Sequence, residues 1–525
     1  MNLINDDWIP VIRQNGQLDI IAPWKIAEVD NPVVEIVAPR PDFQGALYQL
    51  LIGLLQTCFA PEDEDQWLEY WEKVPELKEL QTSFDKVVFA FDLDAVDGPA
   101  FLQDFDLPDG ETKSISALLI EAPGGKTLKD NLDHFIKRDR VNQLCPSCAA
   151  TALFTLQTNA PSGGVGHRVG LRGGGPLTTL IVPKSFKSTL WQKLWLNVIN
   201  QEELESAEKI DSSVFPWLGK TRISDKGKIT SPSDVHPIHA YWGMPRRIRL
   251  TKKIEDSECD LCGKHYKLLY QAYRTKNYGT NYEGAWVHPL TPYRFDSKKV
   301  KPPLSLKGQQ GGLGYRHWLG LTLQDNDNED KASQTVQFYN QGRGKCLRDK
   351  GAASLWCFGY DMDNMKARCW YESKFPIYYL SEMQRNNLTD WATELINTAK
   401  ETVKILREEV KSAWFNRPKD AKGDMTQIDA QFWQATETDF YRLLEQLAIL
   451  PEDTRMAPSE IYESWHDSLR KQMFLIFETA TLASTPEDMN LKRIVSAQKS
   501  LRIKFYSNKT IKALKTKANP EEVVG

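Results

Sequence analysis

Two Cys-x-x-Cys pairs, Cys145-Pro-Ser-Cys148 and Cys259-Asp-Leu-Cys262, stand 110 residues apart in this chain, and a fold in which they share a metal must bring those distant segments together. Four thiolates in two such knuckles are the ligand set of a closed, tetrahedral structural zinc site. Gly263 directly follows the second pair. The interval is longer than in ordinary zinc ribbons, so a redox pair or disulfides form the rival reading. Against that rival, no secretory signal is recognisable, and Cys58, Cys346, Cys357 and Cys369 are scattered in mixed contexts. A metal held by four cysteines has no open coordination position, which makes the site a clip rather than a catalyst.

The first pair runs through an apolar stretch into Asn159-Ala-Pro-Ser-Gly-Gly-Val-Gly-His-Arg-Val-Gly-Leu-Arg-Gly-Gly-Gly-Pro176. Glycines at this density remove β-carbons and leave backbone N–H groups free to meet phosphates or base edges. His167, Arg168 and Arg172 add charge and donors. No Lys-Ser/Thr follows the last glycine, as a P-loop requires. Gly164, Gly166 and Gly170 are spaced G-x-G-x-x-x-G, so the dinucleotide fingerprint is absent too. A turn-rich hairpin is the bland alternative, and the cations tilt the reading toward an anionic partner. The clip would pin this loop against the segment after Cys262.

Charge is divided unevenly. The first 110 residues hold 22 Asp/Glu against 6 Lys/Arg, so the chain's overall −4 leaves +12 on the remainder. Leu491–Lys517 carries nine Lys/Arg and no carboxylate; such a run is usually a solvated helix face, yet the complete absence of acids favours a polyanion nearby. No run of 18 apolar residues occurs, so a cytoplasmic protein without membrane contact is expected.

At 525 residues the chain should hold two or more domains. Through residue 380, short β-type runs (Val33–Ala38, Lys86–Asp94, Pro176–Pro183, Arg246–Ile254, Thr335–Asn340) alternate with short helices and many breakers. Phe43–Phe59 and Cys148–Leu156 are the helical signals there, and Gln324–Gln334 reads as a polar loop. Beyond residue 381, Trp391–Trp414, Thr426–Leu450, Ala457–Ala483 and Pro486–Lys517 are long and glycine-free, with apolar residues at helical spacing. The fold class is therefore α+β: a large mixed domain over 1–380 with a four-cysteine knuckle, followed by an all-α four-helix bundle over 381–525.

Asp7-Trp8-Ile9-Pro10-Val11, the first knuckle, the Ala-Pro…Gly-Leu-Arg-Gly-Gly loop, the second knuckle and the C-terminal helices, in that order and spanning nearly the whole chain, resemble the CasA family. These are the large subunits of the type I-E CRISPR Cascade surveillance complex. The resemblance implies no catalysis. It implies recognition of the protospacer-adjacent motif (PAM) in double-stranded target DNA, help in opening the duplex for R-loop formation with the guide RNA, contact with other Cascade subunits, and docking of the helicase-nuclease.

Carried onto matching positions, the resemblance implies three DNA-reading elements. The glycine loop falls on Ser162–His167, with Gly163, Gly164, Val165 and Gly166 nearest the PAM, followed by His167 and Arg168. A backbone with few side chains can lie along base edges in the narrow minor groove. Val165 departs from the all-glycine pattern. A basic finger falls on Tyr273–Gly279, with Lys276 as the reader and Arg274 and Asn277 in support. In the minor groove its ammonium meets acceptors that A·T and T·A present alike. A wedge falls within Phe358–Arg368, with Asp363, Asn364 and Met365 at its tip and Lys366 beside it. A methionine wedge kinks DNA, whereas phosphates would repel Asp363, which is expected to brace the hairpin. His134–Arg140, chiefly Phe135, Lys137 and Arg138, is the implied contact with guide RNA or a backbone subunit, by stacking and phosphate pairing.

A metal-dependent nuclease or hydrolase is the alternative. His236-Pro-Ile-His239, His288 and Asp234 would be its ligands, but a proline-interrupted His-x-x-His lacks helical i, i+4 spacing and shares no motif with an acidic cluster.

Overall fold

The computed structural model describes residues 1–95, 98–107, 109–122, 129–130, 139–325, 327, 329–348, 353–363, 365–420, 425–482 and 490–519. They form two compact units, Met1–Gly308 with Ala332–Lys374, and Gln309–Lys331 with Phe375–Gly525.

The first unit is mixed α+β. Strands β1 (Ile9–Arg13), β2 (Leu18–Ile21) and β3 (Val33–Ile36) form an antiparallel sheet with β1 in the middle. Helix α1 (Pro41–Cys58) is buried along nearly its whole length, as an all-round apolar helix must be, and packs on α2 (Pro146–Asn159). Strand β4 (Glu111–Ser114) lies beside β7 (His265–Lys276), which forms a long hairpin with β6 (Arg247–Glu258). Strand β5 (Thr178–Pro183) pairs with β8 (Ala353–Asp363), whose other neighbour is β9 (Lys366–Pro376).

Two expected strands are not strands. Within Lys86–Asp94 there is a short 3-10 turn, Val88–Ala90, and one isolated bridge from Asp92 to Asn2 but no strand, because Phe91 is drawn into an aromatic cluster with Phe101, Phe215, Trp217 and Trp242, at centroid distances of 5.2 to 5.9 Å. Trp217 Nε1 donates to the Ala90 carbonyl. Thr335–Asn340 is helical instead, from Gln334 to Phe338 and on into a π turn over Tyr339–Arg343. Burial of Thr335, Val336, Tyr339, Asn340 and Arg343 follows the helical period, which overrides the β propensity of the residue types.

The second unit is chiefly helical: α3 (Glu382–Trp414), α4 (Thr426–Ala448), α5 (Ser459–Leu482), α6 (Leu491–Ser507) and α7 (Lys509–Ala518). Where four C-terminal helices were expected, the described residues form five, because Asn508 ends α6 and caps α7, accepting from the N–H of Thr510 (2.9 Å) and Ile511 (3.2 Å). The unit also departs from a single cut after residue 380. It recruits Gln309–Lys331 because Tyr315 stacks on Phe440 at 4.4 Å and bonds Thr436 at 2.9 Å. Short strands pair Gln324–Asp325 with Asp330–Lys331 inside the expected polar loop. No helix among the described residues is long and apolar enough to cross a membrane.

Candidate nucleic-acid interface and metal centre

Helix α2 starts on the first knuckle. Cys145 is its N-cap, accepting from the Cys148 N–H at 3.4 Å, and Pro146 occupies the first turn, where no N–H is needed. The second knuckle is the connection between β6 and β7, closed by Cys259 N–H to Lys264 O (3.0 Å) and Gly263 N–H to Cys259 O (2.9 Å). Backbone staples join the knuckles. Leu144 and Tyr270 exchange N–H···O bonds of 2.9 and 2.8 Å, and Asp260 Oδ2 accepts from the N–H groups of Asn142 (2.6 Å) and Gln143 (2.9 Å).

The four sulfurs of Cys145, Cys148, Cys259 and Cys262 lie within 4.8 Å of one another, with Cys145 and Cys262 3.8 Å apart. A tetrahedron with metal–sulfur bonds of about 2.3 Å has sulfur–sulfur edges of about 3.8 Å. Donor chemistry and spacing therefore fit a structural zinc ion. Hydrogen bonding, first from Cys145 and then from Cys148, holds Cys259 well below the ordinary thiol range and brings Cys262 to about 7.

Two arms lead away from this cluster to one place. The 14 residues of α2 cover about 21 Å, and β7 from Tyr270 to Lys276 covers about 20 Å. At their far ends the glycine loop and the finger meet. The Asn277 side-chain amide donates to Val165 O at 2.9 Å, and Tyr278 N–H to Gly166 O at 2.8 Å.

Inside the loop, His167 N–H bonds Gly164 O at 3.2 Å, closing a turn with Val165 and Gly166 at its centre. Gly166 has φ +77°, the left-handed geometry of the second central position in a type II turn, while Val165 takes the first, which any residue can fill. Val165 is thus the tip, 77% exposed. His167 is pushed down to about 4 by burial and by the nearby charges of Arg246 and Lys113. Arg168 turns inward: its Nε donates to Ser224 Oγ (2.7 Å) and its Nη2 to Ser224 O (3.1 Å), so it holds the loop in place. Arg172 is buried, donating to Gln49, Thr178 and Thr291, and presents no charge at the surface.

On the finger, strand alternation buries Tyr273 and Thr275 and exposes Arg274 and Lys276, with Asn277 exposed beyond them. Gly279 is obligatory, since a Cβ there would lie 2.0 Å from the Pro245 carbonyl.

The segment expected to form a wedge is the β8–β9 hairpin. Its base lies at the other end of the glycine-rich stretch: Thr178 pairs with Phe358, Pro176 bridges Lys307, and Gly308 bridges Asp361. Met365 is 54% exposed, and Asp363 and Lys366 are also exposed. Asp361, which the sequence reading did not single out, braces the hairpin as well as Asp363. Buried Asp361 takes two bonds from Arg368, at 2.7 and 2.9 Å, whereas Asp363 stands 4.0 Å from it. Asn364, Phe135, Lys137 and Arg138 lie outside the described residues.

The hydrolase ligands do not assemble. His239 bonds Ser213 O and the Tyr282 hydroxyl, His236 Nδ1 accepts from Ile238 N–H, and His288 Nδ1 from Leu290 N–H. Among the described residues only the four cysteines cluster as metal ligands. Sequence reasoning missed Arg246 and Ser224, which support the loop from below. The one available signal for Arg246 was its position at the start of the β6 pattern.

Of the nine basic residues in Leu491–Lys517, three are used within the helical unit. Arg493 bonds Ala413 O (2.7 Å) and Trp414 O (2.9 Å), Lys504 pairs with Glu408 (2.9 Å) and Glu409 (2.8 Å), and Lys517 pairs with Glu394. The other six, Lys492, Lys499, Arg502, Lys509, Lys512 and Lys515, are exposed and have no carboxylate partner among the described residues.

Fold and site together define a two-unit α+β chain, whose mixed unit carries a four-cysteine cluster joined through α2 and β7 to surface loops and whose second unit is chiefly helical. Residues 2–476 match the family of CRISPR-associated protein Cse1, and the chain belongs to that family. It is similar in fold to Thermus thermophilus CasA (Cse1), with 19% identity and a TM-score of 0.68 over 96% of this chain and 98% of that one. It is likewise similar to Cse1 from Acidimicrobium ferrooxidans, with 16% identity and a TM-score of 0.67 over 99% of both chains. A chain of a CRISPR RNA-guided surveillance complex shares 14% identity and a TM-score of 0.69 over 96% of this chain and 99% of that one.

Proposed function

We propose that this chain is the non-catalytic large subunit of a Cascade-type, RNA-guided surveillance complex in the cytoplasm, and that it reads the PAM of duplex DNA from the minor groove. The observation carrying this reading is the docking of the glycine loop on the basic finger, through Val165 O with Asn277 and Gly166 O with Tyr278. It makes one reading head of a glycine-flanked turn tipped by Val165 and the exposed Lys276 and Arg274. The Met365 hairpin, rooted at the other end of the same glycine stretch, is suited to unstack the first target pair. Zinc at the four cysteines supplies a structural cross-link, which fixes the two arms and takes no part in a reaction.

Phe135, Lys137 and Arg138 are assigned to the guide RNA or a backbone subunit. The six free cations of Leu491–Lys517 are assigned to the displaced strand or the helicase-nuclease. Charge-reversed variants would separate the last two, by strand protection on the one hand and nuclease recruitment on the other.

The test is duplex binding by the reconstituted complex. PAM-bearing DNA should bind at least roughly tenfold tighter than scrambled DNA, with steep loss in salt. DNA cleavage by the isolated chain with Mg²⁺ or Mn²⁺, abolished by His239→Ala, would sink the non-catalytic reading.

A further inference from the structure

We propose that Phe186 and the lysines around it form a second nucleic-acid site, a platform on which one unpaired base of a single-stranded polynucleotide stacks while Lys184, Lys187 and Lys374 take its phosphates. The site is separate from the tip of the β8–β9 hairpin, since Lys374 stands on β9 about 26 Å along the strand from Lys366. It does not depend on minor-groove reading.

Phe186 follows β5. Ser188 N–H bonds Ser185 O at 3.1 Å and Lys187 N–H bonds Ser185 Oγ at 3.3 Å, closing a turn with Phe186 and Lys187 at its centre. Directly after the turn, Thr189 caps a short helix, Leu190–Trp195, through a capping box with Gln192. Local hydrogen bonds rather than apolar packing therefore hold the ring where it is, 87% exposed. Single exposed apolar side chains are ordinary. This one stands at the edge of a cleft of about 370 Å³, within the range of small-ligand pockets. Tyr48 and Trp356, in edge contact at 5.2 Å, give the cleft an aromatic wall. The Glu35 carboxylate inside it is already satisfied, paired with Lys193 at 2.8 Å and accepting from Tyr48 and Gln44.

The charges left over are mostly positive. Lys184 and Lys374 line the cleft, and Lys187 Nζ stands 5.9 Å from the centroid of the Phe186 ring. Among the described residues these three are exposed and have no carboxylate partner, and Glu372 is the one acid beside them at the rim. A flat ring flanked by cations suits single strands of any sequence, because every base has a face to stack and every nucleotide a phosphate. An apolar protein segment would use the ring and leave the three ammonium groups unmatched.

The experiment titrates the full chain with deoxythymidine and uridine oligomers of about eight nucleotides at several salt concentrations. Iodinated versions of both are photo-crosslinked, and the adduct is mapped by mass spectrometry. The adduct should fall on Phe186. Phe186→Ala should weaken binding roughly tenfold and Phe186→Trp should retain it. Lys184→Ala combined with Lys374→Ala should flatten the log–log salt slope by about 1.4. Tighter binding of the deoxy-oligomer identifies an opened DNA strand as the source and tighter binding of the ribo-oligomer identifies guide RNA, and either result supports the site. Unchanged affinity in Phe186→Ala, an unchanged salt slope in the double lysine variant, or an adduct confined to other residues overturns it. So does loss of a protein subunit from the assembled complex in Phe186→Ala with oligomer affinity intact, which would make the turn a protein-docking surface.

Discussion

Asn277 donates its side-chain amide to the carbonyl of Val165 at 2.9 Å, across 112 residues of chain. The finger and the loop are therefore not independent probes. A change in one alters where the other can stand.

Lys276 projects from the exposed face of β7 immediately before this contact. Lys276→Ala is expected to cost about 1–3 kcal/mol in PAM-dependent binding while complex assembly stays intact. Competition between PAM and scrambled duplexes checks it. Equal loss on both would mean a phosphate contact instead of a groove reader.

Two neighbours in the turn should behave oppositely. Gly166→Ala places a side chain at φ +77° and a Cβ 2.8 Å from Asn277 Cβ and 3.0 Å from the Tyr278 nitrogen, which should cost about 1–3 kcal/mol and undock loop from finger. Val165→Gly, at the exposed tip, should change stability by no more than about 0.5 kcal/mol and act only on DNA preference. Thermal unfolding paired with duplex binding separates them. A Gly166→Ala protein as stable as its parent contradicts the turn geometry.

The cysteine cluster predicts about one zinc per chain, and Cys148→Ser or Cys259→Ser should lower that content sharply and depress the melting temperature of the mixed unit. Elemental analysis beside calorimetry is the measurement. Because the arms diverge from the cluster, PAM binding should fall as well, without any change at the loop itself. Full zinc content in both variants would remove the clip.

His167 supplies a pH signature. Its folded-state value of about 4 lies below the usual 6.5, through burial first and then the charges of Arg246 and Lys113, with Glu111 opposing. Folding favours the neutral ring, so this contribution to stability is complete above about pH 6.5 and is lost as pH falls toward 4. Histidine-selective NMR, assigned with His167→Gln, should find no protonation of this ring between pH 8 and about 5.5. A midpoint near 6.5 would mean that the ring is solvated and the loop open.

The elements legible in sequence were those whose signal is local. Cys145 and Cys148 marked the start of α2, the apolar run after Phe43 marked α1, and the long C-terminal periodicities marked α3, α4 and α5. What escaped was decided by distant partners. Phe91 abandoned a strand for Trp217 and Trp242, Arg168 was claimed by Ser224, and Arg368 by Asp361. The extra member of the helical unit, Tyr315, lies far from those helices in sequence, and no periodicity points to it. In the site, residue types and spacing located the cysteines and the glycine loop. Neither spacing nor composition could reveal that the loop rests on Asn277 or that Arg246 lies beneath it.

The two arms between the cysteines and the docked loop and finger have different rises, about 1.5 Å per residue along α2 and about 3.3 Å along β7. One added residue in the helix would swing Val165 by about 100° around the axis, and one in the strand would turn Lys276 inward. Over evolutionary time, insertions and deletions should therefore be selected against in both arms. They should be purged from Cys148–Asn159 and Tyr270–Lys276, whose lengths act as a ruler.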